Sequence, residues 1–285
     1  MTEIKKPEQD LILKETLELF AQNLPTPFSD ITIEKVAVGV FFTGVKLSNG
    51  YGGICYTPID LIPETVCCTT SASSMPYCGK MEGVLIKDIL SYIDSPAPLV
   101  RGVIISIVNA LSAWYIDISQ KERYNIEYDK DAFDLVDSKD PTKPVIVVGA
   151  LWPVIHRLKE KNIPYRIFEL NKAALRDDEL PFYVPPEKQD KALAEAGSVV
   201  MTGATMVTST LEGLLSKIPS GVPVIIGGPT ISIIPDRLFA RGVTAIGGVT
   251  VTDPDNLISA IMQGGSGYHF FGVSAKKILI RKSRE

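Results

Sequence analysis

The chain has 285 residues, 29 Lys and Arg against 33 Asp and Glu, a formal net charge of -4 and 45% hydrophobic residues, the composition of a globular protein long enough for two cores. Net acidity, with the basic runs confined near the termini, excludes the footprint of a nucleic-acid binder. The start MTEIKKPEQD is charged throughout and lacks the apolar core of a secretory signal, so the expected location is cytoplasmic.

Leu13, Leu17, Phe20 and Leu24 recur at helical spacing, which predicts an amphipathic first helix. Ile33 to Leu47 is rich in Val and Phe and is followed by Ser48-Asn49-Gly50 and Tyr51 to Tyr56. An Asn-Gly pair between β-prone runs predicts a hairpin, because both residues tolerate positive φ. A loop from Thr57 to Lys80 and a helix from Val84 to Ile93 come next.

Leu99 to Asp117 is apolar nearly all round, as expected of a central buried helix. Arg101, Ser106, Asn109 and Ser112 interrupt it, against the roughly 20 apolar residues of a bilayer span, so no membrane partner is expected. The Asn109 amide must find partners there or cost roughly 1–3 kcal/mol; loop backbone and a ligand are both candidates. Residues 118–142 are polar and turn-prone, ending at Asp140-Pro141, and divide the chain into domains 1–140 and 141–285.

From Pro144 short apolar runs alternate with helical stretches: 145–148, 166–168, 199–201, 224–226 and 245–246. Continuous apolar runs mean strands buried on both faces, hence an α/β class with a Rossmann-like parallel sheet and helices on each side. Tyr268 to Lys282 is expected to close the chain as a pair of strands.

Ligands of such sheets gather beyond the carboxyl ends of the strands. Four glycine turns are predicted there: Gly149; Thr202, Gly203, Ala204 and Thr205; Gly227, Gly228, Pro229 and Thr230; and Gly247-Gly248. Beyond the second, Thr208, Ser209 and Thr210 lead to Glu212, with Ser209 and Glu212 at the offset of a capping box. These turns could cradle an anion or serve packing and capping alone. No G-x-G-x-x-G follows the first strand, where Val148-Gly149-Ala150-Leu151-Trp152-Pro153 stands instead, so NAD in the usual Rossmann mode is disfavoured.

All four cysteines fall between Cys55 and Cys78, with Cys67 and Cys68 adjacent. The window lacks C-x-x-C, and neighbouring cysteines are poorly placed to grip one tetrahedral ion, so buried thiols compete with Cys67 and Cys68 as metal ligands. Of the two histidines, His156 is expected in solvent and His269 in a packing role among Phe270 and Phe271.

The helix from Arg101 to Ala110, the stretch from Thr202 to Leu211, and Gly227-Gly228-Pro229-Thr230 through Gly242 and Gly248 resemble a heavy-metal chelation family of otherwise unknown function, in order and spacing over nearly the whole chain. The resemblance implies an α+β first domain similar to the enolase N-terminal domain, a Rossmann-like second, and a ligand cleft between them. By position it makes Asn109, Thr202, Gly203, Thr210, Gly228 and Pro229 cleft residues. Ile104-Ile105-Ser106-Ile107 departs from the family's small-residue run and alters the cleft floor. The expected function is binding of a heavy metal or metal complex in that cleft, with Cys67 and Cys68 as candidate ligands. The alternative is an enzyme or binder for a small anionic metabolite at the glycine turns. The cofactor is unknown, with a metal ion as candidate; the partner is a small molecule or metal ion, and self-association is open.

Overall fold

A computed structural model describes residues 10–61, 75–118, 124–137, 140 and 142–282. The first helix, α1 (Leu11–Asn23), buries Ile12, Leu13, Thr16 and Phe20, while Leu17 and Leu24 pack half-buried against the same core. Ile33 to Leu47 folds as two strands rather than one. β1 (Ile33–Val38) and β2 (Phe42–Leu47) turn back on each other, and β3 (Gly52–Tyr56) completes an antiparallel sheet in the order β1-β2-β3. The Asn-Gly turn closes the second hairpin, with Gly50 at φ +87° and its N–H bonded to Leu47 O at 2.8 Å.

A short α2 (Ile86–Leu90) leads to the 21-residue α3 (Pro98–Ile118), buried continuously from Val100 to Ser112. By length and hydropathy α3 could cross a membrane, yet 83% of its most apolar 18-residue window is buried inside the protein. It lies so close on β3 that a methyl group on Gly53 would sit 2.0 Å from Ser106 O. Ser106 and Ser112 satisfy their hydroxyls on Gly102 O and Val108 O, one turn back.

Part of the polar stretch after α3 is β4 (Asn125–Tyr128), which joins the main sheet as an edge strand. That sheet also contains β5 (Val145–Val148), β6 (Tyr165–Phe168), β7 (Ser198–Thr202), β8 (Val224–Gly227), β9 (Ala245–Val251) and β10 (Ala275–Arg281). Its order is β4-β10-β9-β8-β7-β5-β6, with β10 antiparallel to both neighbours and the rest parallel. The helices between these strands are α4 (Trp152–Glu160), α5 (Pro186–Ala194), α6 (Ala204–Val207), α7 (Leu211–Leu215), α8 (Asp236–Ala240), α9 (Pro254–Met262) and α10 (Gly267–Phe270).

Both sheet faces are covered, as continuous apolar strands require. Val145, Val147, Val200 and Ile225 pack with Val154, Ile155 and Leu158 of α4; Ile146, Val199, Met201, Ile226 and Ile246 share a core with α1, α3 and β2. That second core draws on residues from Ile12 to Ile280.

Two local expectations are corrected. Gly247 and Gly248 form no turn but lie inside β9, opposite Leu279 and Ile278, where their missing side chains admit Ala132 and Ser232. Tyr268 to Lys282 contributes one strand only, because Ser266 and His269 cap each other's backbone and start α10.

Candidate functional site

Leaving β5, the chain first forms β6 on one side and then crosses back to form β7 on the other. The crevice outside the carboxyl ends of β5 and β7 is therefore the switch point at which open α/β sheets collect ligands. Three glycine turns meet there. Gly149 has φ +100°, and a Cβ on it would lie 2.7 Å from Thr202 Cγ2. Gly203 donates its N–H to Gly227 O at 2.7 Å, and Gly228 donates to Gly247 O at 2.8 Å. Gly228 has φ +119°, and a Cβ there would meet nothing nearer than Gly203 N at 3.9 Å. Gly149, Thr202, Gly228 and Pro229 are half-buried and form a ledge; Gly203, Gly227 and Thr230 are buried behind it. The ring of Phe133 covers Gly227.

The threonines are held by local bonds. Thr202 Oγ1 accepts from Ala204 N–H at 3.3 Å, Thr205 donates to Thr202 O at 2.8 Å, and Thr208 and Thr210 share a hydrogen bond of 2.9 Å. The predicted Ser209–Glu212 capping box does not form. Ser209 is in the left-handed region at φ +56°, and Glu212 Oε1 instead accepts the Ile12 N–H of α1 at 2.7 Å. Burial holds the Glu212 carboxyl above the usual glutamate range.

Behind the ledge Asn109 closes the seam between α3, β3 and the β8 turn. Its Nδ2 donates to Ile54 O at 2.8 Å, to Thr230 O at 3.0 Å and, longer, to Pro229 O at 3.4 Å. Its partners are thus backbone carbonyls, while buried Oδ1 accepts no hydrogen bond among the described residues. Thr230 Oγ1 accepts the Tyr56 N–H at 3.0 Å. Cys55 adjoins the same hydroxyl, and burial pushes its thiol up to about 12, with Thr230 and Arg101 opposing.

Arg101 carries a role that sequence reading left unassigned, although a charge inside an apolar helix was its signal. Only 3% exposed, it donates to Val207 O at 2.8 Å and to Met206 O, and it forms an ion pair with Asp10. Four carbonyl and carboxylate acceptors thereby fix the end of α6, and with it the turn carrying Thr202 and Gly203, to α1 and α3.

Cys67 and Cys68 lie outside the described residues. Cys55 is buried and Cys78 exposed. His156 is exposed, as expected; His269 is exposed too and caps α10 rather than packing. Caging a heavy-metal ion needs several thiolate, imidazole or carboxylate donors around one point. Among the described residues no three of His, Cys, Asp or Glu converge, and the thiol at the seam is held protonated. The described donor set does not fit a caged ion.

Residues 131–280 match the family model DUF364 and residues 21–112 match DUF4213, both described as "Putative heavy-metal chelation". The chain is 26% identical over 193 residues to an uncharacterized protein of Methanocaldococcus jannaschii, covering 67% of this chain and 70% of that one. A DUF364 protein of unknown function from Pyrococcus horikoshii has the same fold, with TM-score 0.73 at 20% identity over 95% of this chain and 98% of that one. Another, from Desulfitobacterium hafniense, gives 0.68 at 17% identity over the same shares.

Proposed function

We propose that this chain, which belongs to the DUF364 family described as "Putative heavy-metal chelation", binds a small anionic metal complex whose organic part supplies most of the metal's donors. The ligand sits on the ledge of Gly149, Thr202, Gly228 and Pro229 and is cargo or substrate, not a resident cofactor.

The observation that carries this reading is the meeting of three glycine turns at the strand-order switch point, with open space over Gly228. The Thr202 hydroxyl, an acceptor toward Ala204 N–H, still has its own proton to donate to an anion, whereas the described donor set is too poor for a bare ion. The two facts agree if the ligand brings its own chelating groups. An anionic metabolite without metal is the second reading, favoured by the same lack of side-chain donors.

A thermal-shift panel separates them, using Zn²⁺ alone, citrate alone and the zinc–citrate complex. A ligand at about 100 times its dissociation constant stabilises the fold by about 2.7 kcal/mol. The complex is expected to shift the midpoint, and Gly228→Ala, which puts a methyl group on the ledge at a φ of +119° that strains an L side chain and lowers the variant's own midpoint, is expected to abolish the ligand-induced shift. An equal shift with citrate alone selects the second reading. A shift with Zn²⁺ alone that is lost in Cys67→Ser/Cys68→Ser overturns both in favour of thiolate ligation.

A further inference from the structure

The Gly149 turn leads directly into an aromatic and cationic wall. Trp152, three residues on, opens α4 with 43% of its surface exposed, and its backbone N–H bonds to Ala150 O at 2.9 Å, in the turn that begins at Gly149. The Arg176 guanidinium lies 4.7 Å from the centre of the Trp152 ring, and the His156 ring lies 5.1 Å from it on the same helix. Wall and ledge share a backbone anchor: Gly149 donates to Phe168 O at 2.8 Å, at the end of β6, from which the chain runs on to Arg176.

Arg176 is exposed and makes no ion pair among the described residues. Of the acids that follow it, Asp177 forms no ion pair with it, Asp178 is engaged by Lys159 at 2.7 Å, and Glu179 Oε2 accepts the Arg176 backbone N–H rather than its guanidinium. A guanidinium held 4.7 Å over the centre of an indole loses part of its freedom, and the exposed Arg176 keeps N–H donors toward solvent. A guanidinium edge matches a carboxylate or phosphate with two parallel hydrogen bonds, and a guanidinium face stacks on a flat ring.

We infer that the ligand of this ledge carries a planar aromatic ring bearing a carboxylate or phosphate, read by Arg176, with Trp152 as the positioning residue that sets the guanidinium plane. This deepens the binding reading above and rests on it. A flat aromatic chelator such as a pyridine carboxylate would combine the anionic edge, the stacking face and the metal donors in one molecule.

The test is isothermal titration of the full chain with the zinc complex of pyridine-2,6-dicarboxylate and, separately, with zinc citrate. The aromatic complex is expected to bind about tenfold more tightly, the scale of one desolvated cation–π contact. Arg176→Lys keeps the charge but loses the planar fork, and Trp152→Leu loses the platform. Each is expected to erase the aromatic preference, weakening the pyridine complex about tenfold more than the citrate complex, while leaving the unfolding midpoint unchanged. Equal affinities for the two complexes, or a preference that survives both substitutions, overturn this inference and leave the ledge reading standing. Binding of neither complex removes the ledge reading and this inference together.

Discussion

Replacing Asn109 by Leu tests whether its amide holds the seam behind the ledge. Leu has nearly the same bulk and removes both polar atoms. Ile54 O and Thr230 O then lose the donor that reaches them at 2.8 and 3.0 Å, whereas Pro229 O keeps the Ser232 hydroxyl at 2.7 Å. Each buried carbonyl deprived of its partner costs about 1–3 kcal/mol. The substitution also removes Oδ1, a buried acceptor without a partner among the described residues, and returns a comparable amount once. Two losses against one gain leave a net destabilisation of about 2 kcal/mol, or about 4 °C in a chain of this size. Urea unfolding should show the midpoint falling at unchanged slope, because the unfolded chain exposes the same surface. A loss below about 0.5 kcal/mol would refute the assignment of Nδ2 as the tie between β3 and the β8 turn. Asn109→Asp sharpens the test, since it sets a carboxylate against those carbonyls and should be the worse variant at pH 7.

Arg101→Met leaves Asp10 without its cation and the Met206 and Val207 carbonyls without their donor, and should cost about 3–5 kcal/mol in the same assay. Gly53→Ala drives a methyl group into the backbone of α3, 2.0 Å from Ser106 O and 2.6 Å from Ala110 N, and should cost at least about 3 kcal/mol or abolish soluble expression. Glu212 is held above the ordinary glutamate value by burial, so the native state binds its proton more tightly than the unfolded chain does. Its charge therefore lowers stability as pH rises through that raised value. Glu212→Gln, which can still accept the Ile12 N–H, should raise the midpoint at pH 7, with the gain vanishing below the ordinary glutamate range. Asp255 has the opposite sign: hydrogen bonds from Lys35 and Lys46 depress its carboxyl to about 2, so the stability it contributes is present above the ordinary aspartate value and lost as pH falls toward 2. Asp255→Asn should flatten that part of the acid limb of a stability–pH curve.

Much of the architecture was legible in one dimension because it rests on local rules. The turn at Asn49-Gly50 specified its hairpin through the positive φ that Gly50 adopts, and the unbroken apolar runs at 145–148, 199–201 and 224–226 announced strands covered on both faces. Local rules misled where a distant partner decided the outcome. Gly247-Gly248 has the composition of a turn, yet antiparallel pairing with β10 and the approach of Ala132 and Ser232 keep it extended. Ser209 and Glu212 have the spacing of a capping box, yet the α1 N–H takes the carboxylate.

The candidate site divides in the same way. Sequence alone determined that glycine turns end the strands of a parallel sheet and that an amide sits in an otherwise apolar helix, because strand burial and helix periodicity are properties of neighbouring residues. It took the folded chain to show that Asn109 turns to carbonyls of β3 and the β8 turn, that Arg101 anchors the turn bearing Thr202, and that Gly149 lies against Thr202 and Gly228 beside Gly203. Those contacts join residues as much as 121 positions apart, and a hydrogen bond of that span is set by how strands and helices stack rather than by any spacing along the chain.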